Sequence, residues 1–295
     1  MNQITPTPAD VPVEAPGVAA LNGVSETLLI PLAARARGSA ARSVADFTDP
    51  TAEMLCRRFQ VDMIRYAAHW PTVRGTLLRG AWCDARCIDF LSRHPEGTVL
   101  NVGAGLNTAY ERVAARVPDG GWRWIDSDVA SVMALRETVF DDDARRASRV
   151  LDATDATALA QLLSGIDGPL LMLAEGVLMY LPPPAIHALF SRLADHPGAE
   201  AVFDWCSPAM VRRSRRHPAL ARIRDSSVVF QWALLRPENI ADHDPRWRVV
   251  DQTNAPISGA GRLPAAIGAL HRLLTGGREF YGCAHIRAEA TAPAA

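Results

Sequence analysis

Several kinds of site lack their raw materials in this chain. There are five cysteines, Cys56, Cys83, Cys87, Cys206 and Cys283, and none forms a CxxC pair. Cys83 and Cys87 are spaced for one helix but have no histidine beside them, so buried free thiols fit better than a zinc site. An odd number of cysteines suits a reducing compartment, which makes the cytoplasm the expected location. None of the eight histidines completes a metal-binding pattern, and His69, His187 and His285 read as surface or satisfied core residues. The nucleophile elbow Gly-x-Ser-x-Gly is absent, and no Ser-His-Asp arrangement can be argued. No apolar stretch reaches the length of a membrane span. No Lys or Arg precedes an apolar core near Met1, so no signal peptide is expected. Basic and acidic residues nearly cancel, at 31 and 32 for a net charge of −1. That balance speaks against nucleic acid or an anionic membrane as partner.

What the chain does have is an ordinary globular composition, 48% hydrophobic and 21% charged over 295 residues. One large domain with small additions is expected. It is organised around Thr98 to Ala109, TVLNVGAGLNTA. The apolar residues Val99, Leu100 and Val102 enter the tight turn Gly103-Ala104-Gly105, and a helical pattern begins near Asn107 or Thr108. Strand, glycine turn and helix in that order open a nucleotide-binding α/β domain, with an ordinary βα turn as the alternative. A dinucleotide fingerprint would place a third glycine where Thr108 stands. No Lys-Ser or Lys-Thr pair follows, which excludes a P-loop. A ligand with a ribose and an adenine but no phosphates fits this turn better, and S-adenosylmethionine is such a ligand.

Residues 1–23 are rich in proline without periodicity and read as a disordered tail. Order is expected from Val24. Asp49-Pro50 signals a helix start. That helix carries Met54, Leu55, Phe59, Met63 and Tyr66 until Pro71 ends it, and a second runs from Thr72 to Arg93. Together, residues 24–97 form a helical cap. Residues 98–206 alternate strand and helix. The strands are Thr98 onward, Trp122–Ile125, Ser148–Leu151, Pro169–Ala174 and Ala201–Trp205. Helices span Val129–Phe140, Thr157–Leu163 and Ala185–Ala194. This rhythm predicts a doubly wound, mostly parallel sheet with its ligand at the carboxyl ends of the strands. Residues 207–246 break the rhythm and hold Arg212, Arg213, Arg215 and Arg216, read as a solvated face or a lid. Residues 247–289 carry two final strands, Trp247–Asp251 and Tyr281–Ala288, and 290–295 fray.

The strand tips supply the candidate residues. Asp126 and Asp128 end the second strand about 20 residues past the glycine turn, where a carboxylate accepts ribose hydroxyls, or caps the next helix. Asp152, with Ala153, ends the third and could meet an adenine amino group, or form an Asx turn. Glu175 follows an apolar run, and a carboxylate there needs a positive partner. That partner is either a ligand ammonium or sulfonium, or an arginine of the chain. Arg79 could hold a carboxylate as a fork. Tyr180 and Asp204 are the best pocket residues to test for catalysis or substrate contact.

Six stretches in order carry a resemblance: SETLLIPLAARA from Ser25, LRGAWCD from Leu78, VLNVGAGLNT from Val99, WRWIDSD from Trp122, LAEGVLMYLP from Leu173 and FDWCSP from Phe203. With these the chain resembles the leucine carboxyl methyltransferase family, in particular its bacterial polyketide O-methyltransferase branch. The resemblance implies a class I, Rossmann-like methyltransferase fold with a seven-stranded sheet and S-adenosylmethionine as methyl donor. It would assign Arg79, Gly103 and Gly105 to the cofactor's methionine part and Asp128 to the ribose. Asp152 and Ala153 would meet the adenine, Glu175 would lie beside the amino group or sulfonium, and Arg35 would face the active site. Asn107 and Ala109 stand where the family has Asp and Arg, which removes a cation that would orient nearby carboxylates. The expected reaction is methyl transfer to an oxygen of a small-molecule acceptor by a monomer or homodimer. With no general base evident, a carboxylate or acidic hydroxyl is favoured. A methyltransferase fold that binds without turnover and a nicotinamide-dependent oxidoreductase are the competing readings.

Overall fold

The apolar run Leu170–Ala174 lies beside Thr98–Val102 at the centre of a seven-stranded sheet. The structure, a computed structural model, describes residues 18, 21–44 and 47–289. The strands are β1 (Thr98–Val102), β2 (Arg123–Asp128), β3 (Arg146–Val150), β4 (Leu170–Ala174), β5 (Glu200–Cys206), β6 (Trp247–Thr253) and β7 (Tyr281–Ala288). They stand in the order β3-β2-β1-β4-β5-β7-β6. The first five are parallel, and β7 inserts antiparallel between β5 and β6. Every residue of β1, β4 and β5 is buried, as expected where helices cover both faces of a parallel sheet. Strand order reverses between β1 and β4, and the crevice at their carboxyl ends is where this architecture holds a ligand.

Among the described residues, five α-helices precede the sheet: α1 (Gly23–Glu26), α2 (Leu29–Ala40), α3 (Pro50–Arg58), α4 (Met63–Tyr66) and α5 (Trp70–Arg93). Four connect the parallel strands: α6 (Ala109–Ala114), α7 (Ala130–Arg136), α8 (Ala156–Ser164) and α9 (Pro183–Ala194). After β5 come α10 (Pro208–Arg212) and 3-10 turns at Ser214–Arg216, Leu220–Arg222 and Pro237–Asp242. Helices α11 (Ala255–Ser258) and α12 (Arg262–Thr275) separate β6 from β7.

Four local expectations change, and one helix is additional. Order begins before Val24, because Leu21 is buried in the core of the helical cap and α1 starts at Gly23. The remainder of the tail and residues 290–295 lie outside the described residues. The helix expected from Pro50 to Tyr66 is two helices, broken where Gln60 takes a positive φ of 51°. Asp62 then caps α4 by accepting from Arg65 N at 2.9 Å. Pro71 does not end a helix; it sits in the first turn of α5, where its missing N–H costs nothing. Helix α7 stops at Arg136 rather than Phe140, and α12 was not expected.

The cap is joined to the glycine turn by packing and by charge. Leu106 shares a hydrophobic cluster with Leu32, Leu55 and Leu77 of the cap helices. Asp49 caps α3 by accepting from Ala52 N at 2.9 Å. Its other oxygen accepts from Thr108 Oγ1 at 2.5 Å and Arg112 Nη1 at 2.7 Å. Arg112 also forks Asp84 of α5 at 2.6 and 3.0 Å. These buried pairs hold α3, α5 and α6 in register around the first strand's tip.

Candidate active site

Above the carboxyl ends of β1, β2 and β4 lies a cavity of about 530 Å³. Its floor includes Gly103, Gly105, Asn107, Asp128, Asp152, Ala153 and Glu175; Arg35 and Arg79 enter from α2 and α5; Tyr180 stands in the roof. Ten of the twelve residues selected from sequence therefore meet at one place. Asp126 and Asp204 do not.

Gly103 and Gly105 both adopt positive φ, 64° and 49°. At Gly103 a Cβ would stand 2.4 Å from Val177 Cγ2, so this glycine lets the loop after β4 close against the turn. Asp128 Oδ2 accepts from Gly105 N at 2.8 Å and Oδ1 from Val129 N at 2.7 Å. Burial raises the Asp128 pKa, and these two backbone N–H groups only partly offset it. Asp152 is exposed and its Oδ1 accepts from Thr154 N and Oγ1 at 2.8 and 2.7 Å, the Asx-turn geometry, while its side chain still lines the cavity.

Glu175 meets arginine. Its Oε1 accepts from Arg79 Nε at 2.9 Å and its Oε2 from Asn107 Nδ2 at 3.1 Å. Burial alone would raise this carboxyl, but the guanidiniums of Arg79, Arg35 and Arg112 outweigh it and hold the pKa below the usual range. Arg79 Nη1 donates to Asp204 Oδ2 at 3.1 Å and to Tyr281 OH at 3.0 Å. Its Nη2 makes no hydrogen bond to any described residue and is not sealed from open space. Arg79 thus offers one unused edge to the cavity. Arg35 is committed, donating from Nη2 to Leu106 O at 2.9 Å and lying 3.2 Å from Asp49.

Asp126 is corrected from a ribose ligand to the centre of a buried charge cluster. Its Oδ1 accepts from Asn101 Nδ2 at 2.7 Å and Trp124 Nε1 at 3.0 Å. Its Oδ2 accepts from Arg136 Nη2 at 2.6 Å and from Arg146 Nε and Nη2 at 2.9 and 2.7 Å. With both oxygens used and no path to the cavity, it has nothing left to offer a ligand. Asp204 is likewise no pocket residue: it lies within β5, fully buried. There it accepts from Gly176 N at 2.6 Å and Tyr281 OH at 2.5 Å, so it positions Arg79 and the Gly176 turn from behind.

The roof half of the cavity is largely apolar, with Met179, Met210, Leu220, Phe230 and Ile257. Polar groups there include Tyr180, His69 and His217. Burial pushes the Tyr180 phenol above its ordinary range. His69 pairs Nδ1 with Thr72 Oγ1 at 2.8 Å. Burial, with His69 nearby, lowers His217 to about 4. Below its unfolded pKa of about 6.5 the unfolded chain protonates this ring and the folded one does not, so stability is full above that pH and falls toward pH 4. We expect about 2–3 kcal/mol to be lost over that window, and His217→Gln to reduce the slope, read from urea midpoints at pH 7 and 4.5.

The sequence profile of the leucine carboxyl methyltransferase family matches residues 29–194. The tetracenomycin polyketide synthesis O-methyltransferase TcmP of Streptomyces glaucescens is 30% identical over 79% of this chain and 83% of its own. The chain belongs to the leucine carboxyl methyltransferase family. It is similar too, at 25% identity over 78% of this chain and 81% of the relative, to the S-adenosyl-L-methionine-dependent methyltransferase dpfgK of Gibberella zeae. A solved structure from Thermobifida fusca, described as a candidate methyltransferase, shares the fold. Its TM-score is 0.58 at 15% identity, covering 95% of this chain and all of that one. The chain is an S-adenosylmethionine-dependent methyltransferase, and the nicotinamide and non-catalytic readings give way to that.

Two departures of this chain from the family pattern have a structural answer. Ala109 stands where an arginine was expected, and Arg112, one helical turn later, supplies a guanidinium to Asp84, Asp49 and Thr108. Asn107 stands in place of Asp and donates to Glu175, where an aspartate would have set two carboxylates together. Sequence reasoning missed Arg136. Its Nη1 donates to Gly105 O at 2.6 Å and approaches the carbonyls of Ala104 and Asn107 at 3.4 and 3.3 Å, so it gathers the outward oxygens of the glycine turn. Every basic residue in the chain is an arginine, and this five-donor fork is what such multiple contacts require. Tyr281 was also missed, because it opens an edge-side strand far from the motifs.

Proposed function

We propose that this enzyme methylates an ionised oxygen, a carboxylate or acidic hydroxyl, on a small and mostly apolar acceptor bound in the roof half of the cavity. The cavity residues fit S-adenosylmethionine on three counts. The turn Gly103–Gly105 leaves a backbone cradle beside β1. Asp128 is a half-buried carboxylate without a cation bonded to it, which suits ribose hydroxyls. Arg79 Nη2 is a spare donor in the cavity, which suits the cofactor's carboxylate. Asp152 and Ala153 would border the adenine, with Glu175 and Asn107 near the amino group. The likeness to the O-methyltransferase TcmP supports oxygen as the methylated atom.

When bound, the cofactor supplies a methyl group already activated on a sulfonium. What remains for the protein is alignment and exclusion of water, and positioning alone is worth about 7–11 kcal/mol of barrier. The observation that carries the proposal is the scarcity of a base. Tyr180 is held protonated by burial, His217 is buried neutral with Nδ1 already accepting from Ala219 N at 3.3 Å, and Asp204 is sealed away. Among the described residues of the roof half, His69, at the exposed start of α5, is the one left to take a proton. An acceptor that arrives ionised needs none.

The test is transfer of labelled methyl to paired aromatic carboxylic acids and phenols between pH 6 and 9. We expect the carboxylates to be methylated at a rate flat in pH and unchanged by His69→Asn. Methylation of phenols alone, rising with pH and lost in His69→Asn, overturns the carboxylate reading.

A further inference from the structure

The segment from Pro208 to Ile223 presents different chemistry on its two sides. Arg212, Arg213, Arg215 and Arg216 are exposed, and none pairs with a carboxylate among the described residues. Met210, His217 and Leu220 line the cavity. His217 is the polar group in this apolar wall, and it is fixed. Its N–H donates to Ser214 O at 2.8 Å and its carbonyl accepts from Ala221 N at 3.0 Å. The ring stands edge-on to Phe230, centroids 5.5 Å apart.

The tautomer follows from the contacts. Nδ1 accepts from Ala219 N at 3.3 Å, so in the neutral ring the proton is on Nε2. Burial keeps the ring neutral near pH 7. Nε2–H has no partner among the described residues. Unlike Trp205 Nε1, which is buried without a partner, it retains open space beside it. A donor left unmet inside an apolar wall is costly once an acceptor molecule displaces water from it, unless that molecule brings an oxygen.

We propose that His217 is a specificity-determining residue whose Nε2–H donates to a carbonyl or ether oxygen on the body of the acceptor, away from the oxygen that is methylated. The site then selects oxygenated ring systems over hydrocarbon ones of the same shape. This rests on the roof half of the cavity being the acceptor site, as proposed above.

The probes are anthraquinone-2-carboxylate and anthracene-2-carboxylate, which share a ring frame and differ in ring carbonyls. Each is titrated calorimetrically into the full chain saturated with S-adenosylhomocysteine. The quinone is expected to bind roughly tenfold more tightly, the penalty for an unmet donor falling on the hydrocarbon. His217→Phe erases the difference by weakening the quinone alone, and His217→Gln, which keeps an N–H donor, restores most of it. The Nε2 nitrogen resonance of His217 shifts with the quinone and not with the hydrocarbon. Equal affinity for both acids in wild type and variants overturns the role of His217 and leaves the acceptor site standing. An equal loss of both acids in His217→Phe reduces the residue to a structural one and likewise overturns it. Binding of neither acid overturns both this inference and the reading it rests on.

Discussion

Asp126→Asn is expected to destabilise the protein by about 3–5 kcal/mol, the range for breaking a buried ion pair by removing one partner. The geometry explains why the effect sits at the high end of single substitutions. Asp126 is 1% exposed and accepts from two guanidiniums, Arg136 and Arg146, whose side chains are 1% and 4% exposed. Burial would raise its pKa, yet the two arginines hold it below the ordinary value, so the charge is present and favourable in the folded state. A neutral amide leaves both cations facing each other, with Glu111, 2.8 Å from Arg146, as the remaining counter-charge. Because the folded pKa is depressed, the stabilisation is full above about pH 4 and drains away as pH falls further. Guanidinium unfolding at pH 7 reads the loss. A change below about 1 kcal/mol would mean that the cluster is no more than a surface pair in effect. Adding Arg136→Met to Asp126→Asn removes one of the stranded cations and is expected to recover part of the stability, while leaving the carbonyls of Gly105 and Ala104 without their donor.

This cluster also shows where the sequence could be read and where it could not. Asp126 and Asp128 lie two apart on one strand, and by residue type either could serve a ribose. Depth along β2 separates them: Asp128 is the last residue of the strand, at the cavity, while Asp126 pairs in register with Asn101 inside the sheet. Nothing in a string of letters fixes that depth. Arg136 lies inside the helix expected over Val129–Phe140, where nothing in the sequence sets its direction, and only packing turns it inward. Strand β4 was legible because an unbroken apolar run leaves few alternatives. Helix α12 was not, although Leu263, Ile267, Leu270 and Leu274 have helical spacing. Those side chains are exposed, at 71, 47, 55 and 75%, so the apolar stripe that betrays a core helix here faces outward. The motifs that end β1, β2 and β4, by contrast, found the cavity because their residues sit at strand tips, where the chain direction alone dictates proximity.

Asp128→Asn is expected to do the opposite of Asp126→Asn. Stability changes little, because relief of the penalised charge offsets the one turn bond the amide loses, while affinity for S-adenosylhomocysteine falls roughly 10- to 100-fold, about 1.5–3 kcal/mol for bonds to a charged acceptor. Asp128 has no guanidinium bonded to it; its oxygens accept only from Gly105 N and Val129 N. Its raised pKa records a carboxylate whose charge burial penalises before any ligand arrives. An amide relieves that penalty and keeps one oxygen for the turn. It forfeits the charge-assisted bonds to two neighbouring hydroxyls, and its NH2 group now faces Gly105 N–H or Val129 N–H, donor against donor. The loss should fall on the ribose, so 2′,3′-dideoxyadenosylhomocysteine, lacking both hydroxyls, should bind wild type and variant alike. If the variant keeps wild-type affinity for the full ligand, or loses the dideoxy ligand just as steeply, Asp128 does not hold a ribose. Its part in the site is then limited to bracing the Gly105 turn.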